Sequence, residues 1–143
     1  MLKTSLLHPE ILRALGSAGH GSKVLIADGN YPFSTGSHPD AARVFLNVAP
    51  GLLDVVQVLK VLASAIPIEA AQVMTPAQGP EPEIFAEFRA VLTDGVPLAK
   101  LGRGEFYEAA RQRDTALVIA TGEQRIYANL LLTIGVVAPP VRG

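Results

Sequence analysis

Short, mostly apolar runs alternate with segments of helical periodicity along this chain, and this alternation constrains the fold more than any other feature. Val24–Ala27, Ala70–Met74 and Thr115–Ala120 are such runs. Strands that are apolar on both faces are typical of parallel sheets with helices on both sides. The pattern therefore predicts one α/β domain over residues 1–143, with a mostly parallel sheet flanked by helices.

Glycine and proline residues interrupt helices and strands, and their positions set the expected boundaries of these elements. Strands are predicted at Val24–Ala27, Val44–Val48, Ala70–Met74, Leu98–Leu101, Thr115–Ala120 and Tyr127–Thr133. Helices are predicted from Pro9 to about Gly16 and over Leu52–Ala65, Glu83–Thr93 and Glu105–Arg113. Ligands of such sheets bind beyond the carboxyl ends of the strands, so Asp28 and Glu123, which follow two of them, are candidate site residues.

Charge and composition exclude several classes of protein. The 12 basic and 13 acidic residues give a net charge of −1, which argues against a nucleic-acid partner. No run is apolar and long enough to predict a membrane span, and the N-terminal apolar stretch is too short for a signal peptide. The chain has no cysteine, which agrees with a cytoplasmic location. Only 17% of the residues are charged, which together with the apolar tail Gly135–Pro140 predicts a homo-oligomer.

Three common chemistries are not supported by the motifs. Gly16–Lys23 resembles a phosphate loop, but Ser22 precedes Lys23 in the wrong order, and the segment closes a helix instead of opening one. The three histidines are His8, His20 and His38. They lack the spacing of a zinc helix, so no metal is predicted. The chain also has no Gly-x-Ser-x-Gly motif for a serine nucleophile.

The polar residues at the ends of the predicted strands are the stronger candidates. His20 is suited to proton transfer near neutral pH, and a helix that folds back onto its next strand would bring it close to Asp28. Arg103 is either a fixed donor to ligand oxygens or a solvated charge. Tyr127 and Asn129 either face a ligand or pair locally.

Five segments, taken in order, resemble the RbsD/FucU family of sugar mutarotases. They are Gly19–Gly21, Ala27–Pro32, Arg103–Glu108, Thr121–Glu123 and Tyr127–Asn129. Each motif is weak alone, but together they span nearly the whole chain in the family's order and spacing. The resemblance implies an α/β sheet fold, ring-shaped homo-oligomers that are typically decamers, and enzymes that interconvert the anomers of monosaccharides.

The resemblance also implies roles for individual residues. His20 matches the family's proton donor. The positions that match substrate-binding residues are Asp28, Arg103, Tyr127, Ala128 and Asn129. The reaction opens and recloses a sugar ring by moving protons, so it requires a positioned acid–base group and neither a cofactor nor a metal.

The substrate within the family is predicted less sharply than the chemistry. Arg103 and the Gly19–Gly21 motif resemble the L-fucose branch, since the ribose branch typically has histidine at the position of Arg103. Ala128 departs from the glycine of the fucose branch. The expected function is an L-fucose-type mutarotase. The alternatives are a D-ribose pyranase, a sugar-binding module without catalysis, and a structural ring-former with a vestigial pocket.

Overall fold

A six-stranded sheet flanked by four helices organises residues 1–92 and 95–142, the part of the chain that this computed structural model describes. The strands are β1 (Lys23–Ala27), β2 (Ala42–Phe45), β3 (Ile68–Met74), β4 (Leu98–Leu101), β5 (Thr115–Ala120) and β6 (Leu130–Ile134). The helices are α1 (Pro9–Ser17), α2 (Val55–Ala63), α3 (Ile84–Val91) and α4 (Arg103–Ala110).

The strand order is β2-β5-β1-β6-β3-β4, and the predicted mostly parallel sheet is confirmed. β5 pairs in parallel with both β1 and β2, and β3 pairs in parallel with β4. β6 is inserted between β1 and β3 and runs antiparallel to both. The amino end of β6 therefore lies at the same edge of the sheet as the carboxyl ends of the other five strands.

Helices cover both faces of the sheet because successive strand residues point to opposite sides. Ile26 packs in the larger core with apolar side chains from α1, α2 and α3, including the fully buried Phe85 and Phe88. Leu25, its neighbour in β1, packs on the other face with Phe106 of α4. The strands are thus apolar on both sides, as the sequence predicts.

The predicted start of the second helix at Leu52 is wrong, because a capping box fixes the start of α2 at Val55. The Asp54 carboxylate accepts a hydrogen bond from the Gln57 N–H (2.8 Å), and the Gln57 amide oxygen accepts one from the Asp54 N–H (2.9 Å). Leu53 has φ of 63° and cannot belong to the helix. The capping signal is three residues downstream of the proline–glycine pair on which the prediction relied.

Four predicted strands also have different bounds. β1 and β3 start slightly earlier than predicted, at Lys23 and Ile68. β2 ends at Phe45 instead of Val48, because its partner β5 ends at Ala120, opposite Phe45. β6 starts at Leu130 instead of Tyr127, because the residues before it turn back to contact the end of β1.

The last two helices are displaced slightly from their predicted ranges. α4 begins at Arg103, two residues before the predicted Glu105, since Gly102 is its N-cap. α3 ends at Val91, and the predicted end at Thr93 lies outside the described residues. Within residues 1–92 and 95–142 no helix has the length and apolar character to cross a membrane.

Candidate active site

The topology gathers most of the predicted site residues around one cavity at the carboxyl edge of the sheet. Asp28 follows β1, Arg103 follows β4, and Asn129 precedes β6, so the inverted direction of β6 brings its leading segment beside the other two. The cavity has a volume of about 350 Å³. Its lining residues are Asp28, Asn30, Tyr31, Met74, Arg103, Tyr107, Ile126, Tyr127 and Asn129.

Asp28 is held rigidly at the wall of this cavity. Its Oδ1 accepts a hydrogen bond from the Asn30 N–H (3.0 Å), and its Oδ2 accepts one from the Ala128 N–H (3.3 Å). The residue is 3% exposed. Burial raises the pKa of the Asp28 carboxyl above its usual value, although these backbone hydrogen bonds act in the opposite direction. The carboxylate is therefore a fixed, buried acceptor.

Asn129 is oriented by its contact with Asp28. The Asp28 N–H donates to Asn129 Oδ1 at 2.7 Å, across 101 positions of sequence. Because a backbone N–H can only donate, the amide oxygen has to face β1, which leaves Nδ2 as the end that can donate to a ligand. Asp28 and Asn129 thus form an acceptor and donor pair whose orientation the fold has already fixed.

Ala128 contributes through its backbone. Its side chain is fully buried, and its N–H is the donor that holds Asp28 Oδ2. The residue before it, Tyr127, has a φ of 57°. Residues other than glycine adopt this left-handed conformation at a cost of about 1–2 kcal/mol. This turn directs Tyr127 to the cavity while it places the Ala128 N–H against the carboxylate. Local strain of this kind is concentrated at functional sites.

Glu123, a candidate site residue because it follows β5, does not line this cavity but fastens the loop that carries these residues. The Glu123 side chain accepts hydrogen bonds from Arg125 Nε (2.7 Å) and from the N–H of Val55 at the start of α2 (3.2 Å). Arg125 also contacts Glu87 of α3. Burial alone would raise the pKa of Glu123, but the hydrogen bonds from Arg125 and Val55 outweigh it and lower that pKa. The signal that could have revealed this clamp is the Glu-x-Arg spacing after β5.

Arg103 is an exposed residue at the first position of α4, and an aromatic ring supports it. Its guanidinium carbon is 5.9 Å from the centre of the Tyr107 ring, one helical turn further along α4. Arg111 approaches the same ring at 5.5 Å. A cation over an aromatic face is attracted by the ring quadrupole. Tyr107 therefore steadies a cationic donor at the mouth of the cavity.

Tyr31 lines the cavity with its ring, but its hydroxyl is used within the fold. The Tyr31 hydroxyl donates to the Gly36 carbonyl at 2.5 Å, and the ring packs against Tyr107 with centroids 5.3 Å apart. Burial raises the pKa of Tyr31 well above its usual value. The residue supports the wall of the site and does not offer a proton.

A second cavity of about 430 Å³ lies on the other side of Asn30, between the loop at residues 47–50 and the segment Thr121–Gln124. Its two buried polar side chains serve the fold. The Thr121 hydroxyl donates to the Ala27 carbonyl (2.7 Å), and Glu123 forms the clamp described above. The smaller cavity holds the fixed acceptor and donor, so it is the better candidate for a ligand site.

His20 lies at the opposite edge of the sheet, before the start of β1. Its Nε2 is 3.1 Å and 3.2 Å from the two carboxylate oxygens of Glu69, near the start of β3. The five residues of β1 separate it from Asp28 by about 17 Å, at about 3.3 Å per residue. The expectation that His20 and Asp28 lie close together is therefore wrong within one chain.

The other two histidines have local structural partners. His8 Nδ1 accepts a hydrogen bond from the Glu10 N–H (3.2 Å) at the start of α1, and His38 Nδ1 accepts one from the Asp40 N–H (3.2 Å). No group of three or more histidine, aspartate or glutamate side chains with metal-binding geometry occurs in residues 1–92 and 95–142.

Comparison with known proteins gives relatives over almost the whole length. The fucose mutarotase of Homo sapiens is 35% identical over 143 aligned positions, which cover 94% of this chain and 92% of that protein. The D-ribose pyranase of Paracidovorax citrulli is 34% identical over 136 positions, which cover 95% of this chain and 98% of that protein. The fucose mutarotase and the D-ribose pyranase are therefore almost equally similar to this chain in sequence.

A solved structure gives the same relationship. Bacillus subtilis RbsD complexed with D-ribose superposes on this chain with a TM-score of 0.83 and 25% sequence identity, covering 96% of this chain and 100% of that one. The family model described as the RbsD / FucU transport protein family matches residues 1–137. The match spans the fold and every segment that carries the sequence motifs, and this chain belongs to the RbsD / FucU family.

Proposed function

We propose that this protein is a monosaccharide mutarotase that interconverts the α and β anomers of a free sugar. The observation that carries the proposal is the Asp28–Asn129 pair, a buried carboxylate and an oriented amide fixed side by side in a cavity of about 350 Å³. Arg103 and Tyr127 line the same cavity. A sugar offers hydroxyls that both donate and accept, and this set of groups complements them.

The chemistry requires two proton movements and no net change. A base removes the proton of the anomeric hydroxyl while the bond from the anomeric carbon to the ring oxygen breaks, and the ring oxygen gains a proton. The carbonyl carbon rotates and the steps reverse on its other face. We assign delivery and recovery of the proton to His20, because imidazole exchanges protons near neutral pH. Asp28 and Arg103 grip the sugar, and Tyr127, Asn129 and the Ala128 segment hold its hydroxyls or ring oxygen.

His20 can take this role only if a second copy of the chain supplies it. Within one chain, the length of β1 separates His20 from the cavity, whereas His20 itself is exposed at the other edge of the sheet. A head-to-tail contact would place the His20 edge of one copy against the Asp28 edge of the next, and such contacts form a ring when the rotation between copies closes. We therefore propose a ring-shaped homo-oligomer, a decamer by family resemblance. Exposed Val136 and Val137 supply apolar surface for burial between copies.

The sugar is proposed to be L-fucose or a close relative, since Arg103 occupies the position where the ribose branch typically has histidine. The D-ribose pyranase of Paracidovorax citrulli, at 34% identity, favours D-ribose as the second candidate. A sugar-binding module without catalysis is the third, in keeping with the transport description of the family. We propose the cytoplasm as the location, with which a chain without cysteine is compatible.

NMR magnetisation exchange between anomers tests the proposal directly. The intact protein should accelerate α/β exchange of L-fucose more than that of D-ribose. His20→Ala should reduce the acceleration by roughly 10²-fold or more, the contribution of a positioned acid–base group. Asp28→Asn should reduce it by roughly 10–100-fold, because the sugar loses a hydrogen bond to a charged acceptor. His38→Ala is the matched control. Within residues 1–92 and 95–142 the His38 side chain bonds only the Asp40 N–H, so its removal should leave exchange unchanged.

The outcomes separate the candidates. Acceleration limited to D-ribose, with interconversion of its pyranose and furanose forms, would assign the protein to the second candidate. Sugar binding without acceleration of either exchange would identify a binding module and refute catalysis. Full activity in a folded His20→Ala variant would refute the role of that residue.

A further inference from the structure

His20 and Glu69 form an isolated pair at the amino edge of the sheet. The imidazole Nε2 is 3.1–3.2 Å from both carboxylate oxygens of Glu69. The His20 side chain is 60% exposed and that of Glu69 is 45% exposed. A carboxylate on one ring nitrogen and solvent around the rest of the ring leave the other nitrogen free to meet a molecule from outside.

The backbone holds both members of the pair against the end of β6. The Gly21 N–H, next to His20, donates to the Ile134 carbonyl (2.9 Å), and the Gly135 N–H donates to the Pro67 carbonyl (2.8 Å), two residues before Glu69. A Cβ on Gly135 would lie 3.2 Å from Glu69 Cβ, so the absence of a side chain at Gly135 leaves room for the carboxylate. The two side chains thus meet because two loops are anchored at one point.

The chemistry of the contact fixes which nitrogen can react. An ionised carboxylate only accepts hydrogen bonds, so Nε2 has to carry a proton whether the ring is neutral or cationic. In the neutral ring Nδ1 is then the unprotonated nitrogen. Among the hydrogen bonds of residues 1–92 and 95–142, His20 bonds only through Nε2.

We propose that Glu69 is a positioning residue that holds His20 with Nε2 protonated, so that Nδ1 is the atom that exchanges the proton with the sugar held by the next copy. This inference rests on the proposed function, since it presupposes that His20 is the acid–base group. The reacting proton moves between His20 Nδ1 and a sugar oxygen. The Nε2–H stays hydrogen-bonded to Glu69 throughout, and the carboxylate offsets the positive charge of the protonated ring.

A purely structural role for Glu69 predicts something different. Exposed ion pairs add little to folding stability because water competes for both partners. If the pair had only a structural role, its loss would change the folding stability and the exchange rate very little. A positioning role instead predicts a large loss of turnover at unchanged stability and with unchanged affinity for the sugar.

The test compares Glu69→Ala and Glu69→Gln with Asp114→Asn in the NMR exchange assay. Glu69→Ala should lower the maximal exchange rate by roughly 10–100-fold, a share of the 10²–10⁴-fold contributed by a positioned acid–base group. The half-saturating sugar concentration should stay within about twofold, because Glu69 does not touch the sugar. Glu69→Gln keeps an oxygen acceptor for Nε2–H and should retain more activity than Glu69→Ala.

Asp114 is the matched control for this comparison. It is a carboxylate at the same edge of the sheet, 44% exposed and 3.3 Å from Lys23 Nζ. Among the hydrogen bonds and ion pairs of residues 1–92 and 95–142, the His20 ring pairs with Glu69 and not with Asp114. Asp114→Asn should keep the full exchange rate. An equal loss in Asp114→Asn and Glu69→Ala would overturn the proposal, because it would show that any charge removed from this edge is damaging.

A spectroscopic measurement makes the proposal testable apart from activity. The ¹⁵N spectrum of the neutral His20 ring should show a protonated Nε2 and an unprotonated Nδ1 in the wild-type protein. In Glu69→Ala it should move toward a mixture of both tautomers. A protonated Nδ1 in the wild-type protein would refute the inference whatever the activity. Failure of the wild-type protein to accelerate exchange would instead refute the proposed function, and with it the catalytic use of this nitrogen.

Discussion

Replacement of Glu123 with alanine should both destabilise the protein and loosen the site. The residue is almost fully buried, and its carboxylate holds the N–H groups of Val55 and Arg125 as well as the Arg125 side chain. Loss of the acceptor leaves the buried Val55 N–H without a partner, at a cost of about 1–3 kcal/mol. The partly exposed Arg125 can rehydrate, so its pair adds only about 0–1 kcal/mol. The expected total is about 1–4 kcal/mol.

The pH dependence of this effect follows from the direction of the pKa shift. Hydrogen bonds lower the pKa of Glu123 in the folded state below its ordinary value of 4.5. Its ionisation therefore stabilises the fold above pH 4.5, and that contribution is lost as the pH falls through the lowered pKa. The difference in stability between the wild-type protein and Glu123→Gln should be largest near pH 7 and should shrink below pH 4.5.

Urea unfolding of four proteins measures both effects: the wild-type protein, Glu123→Ala, Glu123→Gln and Glu81→Gln. Glu81 is the matched control, since it also pairs with an arginine through both oxygens, at 2.7 and 2.9 Å, but is much more exposed. Glu81→Gln should change the unfolding midpoint little. Equal effects of Glu81→Gln and Glu123→Gln, or a difference for Glu123→Gln that persists unchanged to pH 3, would refute this reasoning.

Two further predictions concern the carboxylate of the site and the packing behind it. Because burial raises the pKa of Asp28, anomer exchange should decline on the acid side at a pH above the ordinary 3.8, as a pH–rate profile would show. A decline in exchange that begins only at or below pH 3.8 would contradict this prediction. The same shift means that Asp28 contributes most to folding stability below pH 3.8 and loses that contribution as the pH rises through its raised pKa. Gly122→Ala would place a Cβ 2.4 Å from the carbonyl oxygens of Ala49 and Leu52, and it should lower the free energy of unfolding by about 1–3 kcal/mol. Gly104→Ala is its control, since nothing lies within 4 Å of that position inside α4 and alanine should stabilise the helix by about 0.5–1 kcal/mol. Equal unfolding midpoints for the two variants would contradict the clash.

The sequence predicts the elements that depend on local composition. The predicted strand Thr115–Ala120 has the same bounds as β5, because a strand that is buried on both faces stands out in the sequence as a mostly apolar run. α2 shows the limit of this approach, since its start depends on the reciprocal bonds of Asp54 and Gln57 and not on the apolar run that begins at Leu52.

The wrong predictions near the site, the start of the last strand and the proximity of His20 to Asp28, depend on how distant parts of the chain are arranged. The apolar run after Tyr127 looks like a continuous strand, but the Ala128 N–H and Asn129 side chain turn to Asp28, 100 and 101 positions away. The distance between His20 and Asp28 depends on the direction of β1, which places one before the strand and the other after it. Residue types at strand ends lead to residues that line one cavity, whereas the edge on which each residue lies requires the topology.

Subunit complementation tests the account most directly. His20→Ala and Asp28→Asn should each be nearly inactive alone, and the two are mixed, co-refolded and assayed for anomer exchange of L-fucose by NMR. If each site combines Asp28 of one copy with His20 of the next, random assembly of equal amounts leaves about a quarter of the sites intact, the product of two halves. Recovery of about a quarter of the wild-type exchange rate is the predicted result. A mixture no more active than its two components would contradict a site built from two copies, and with it the proposed role of His20.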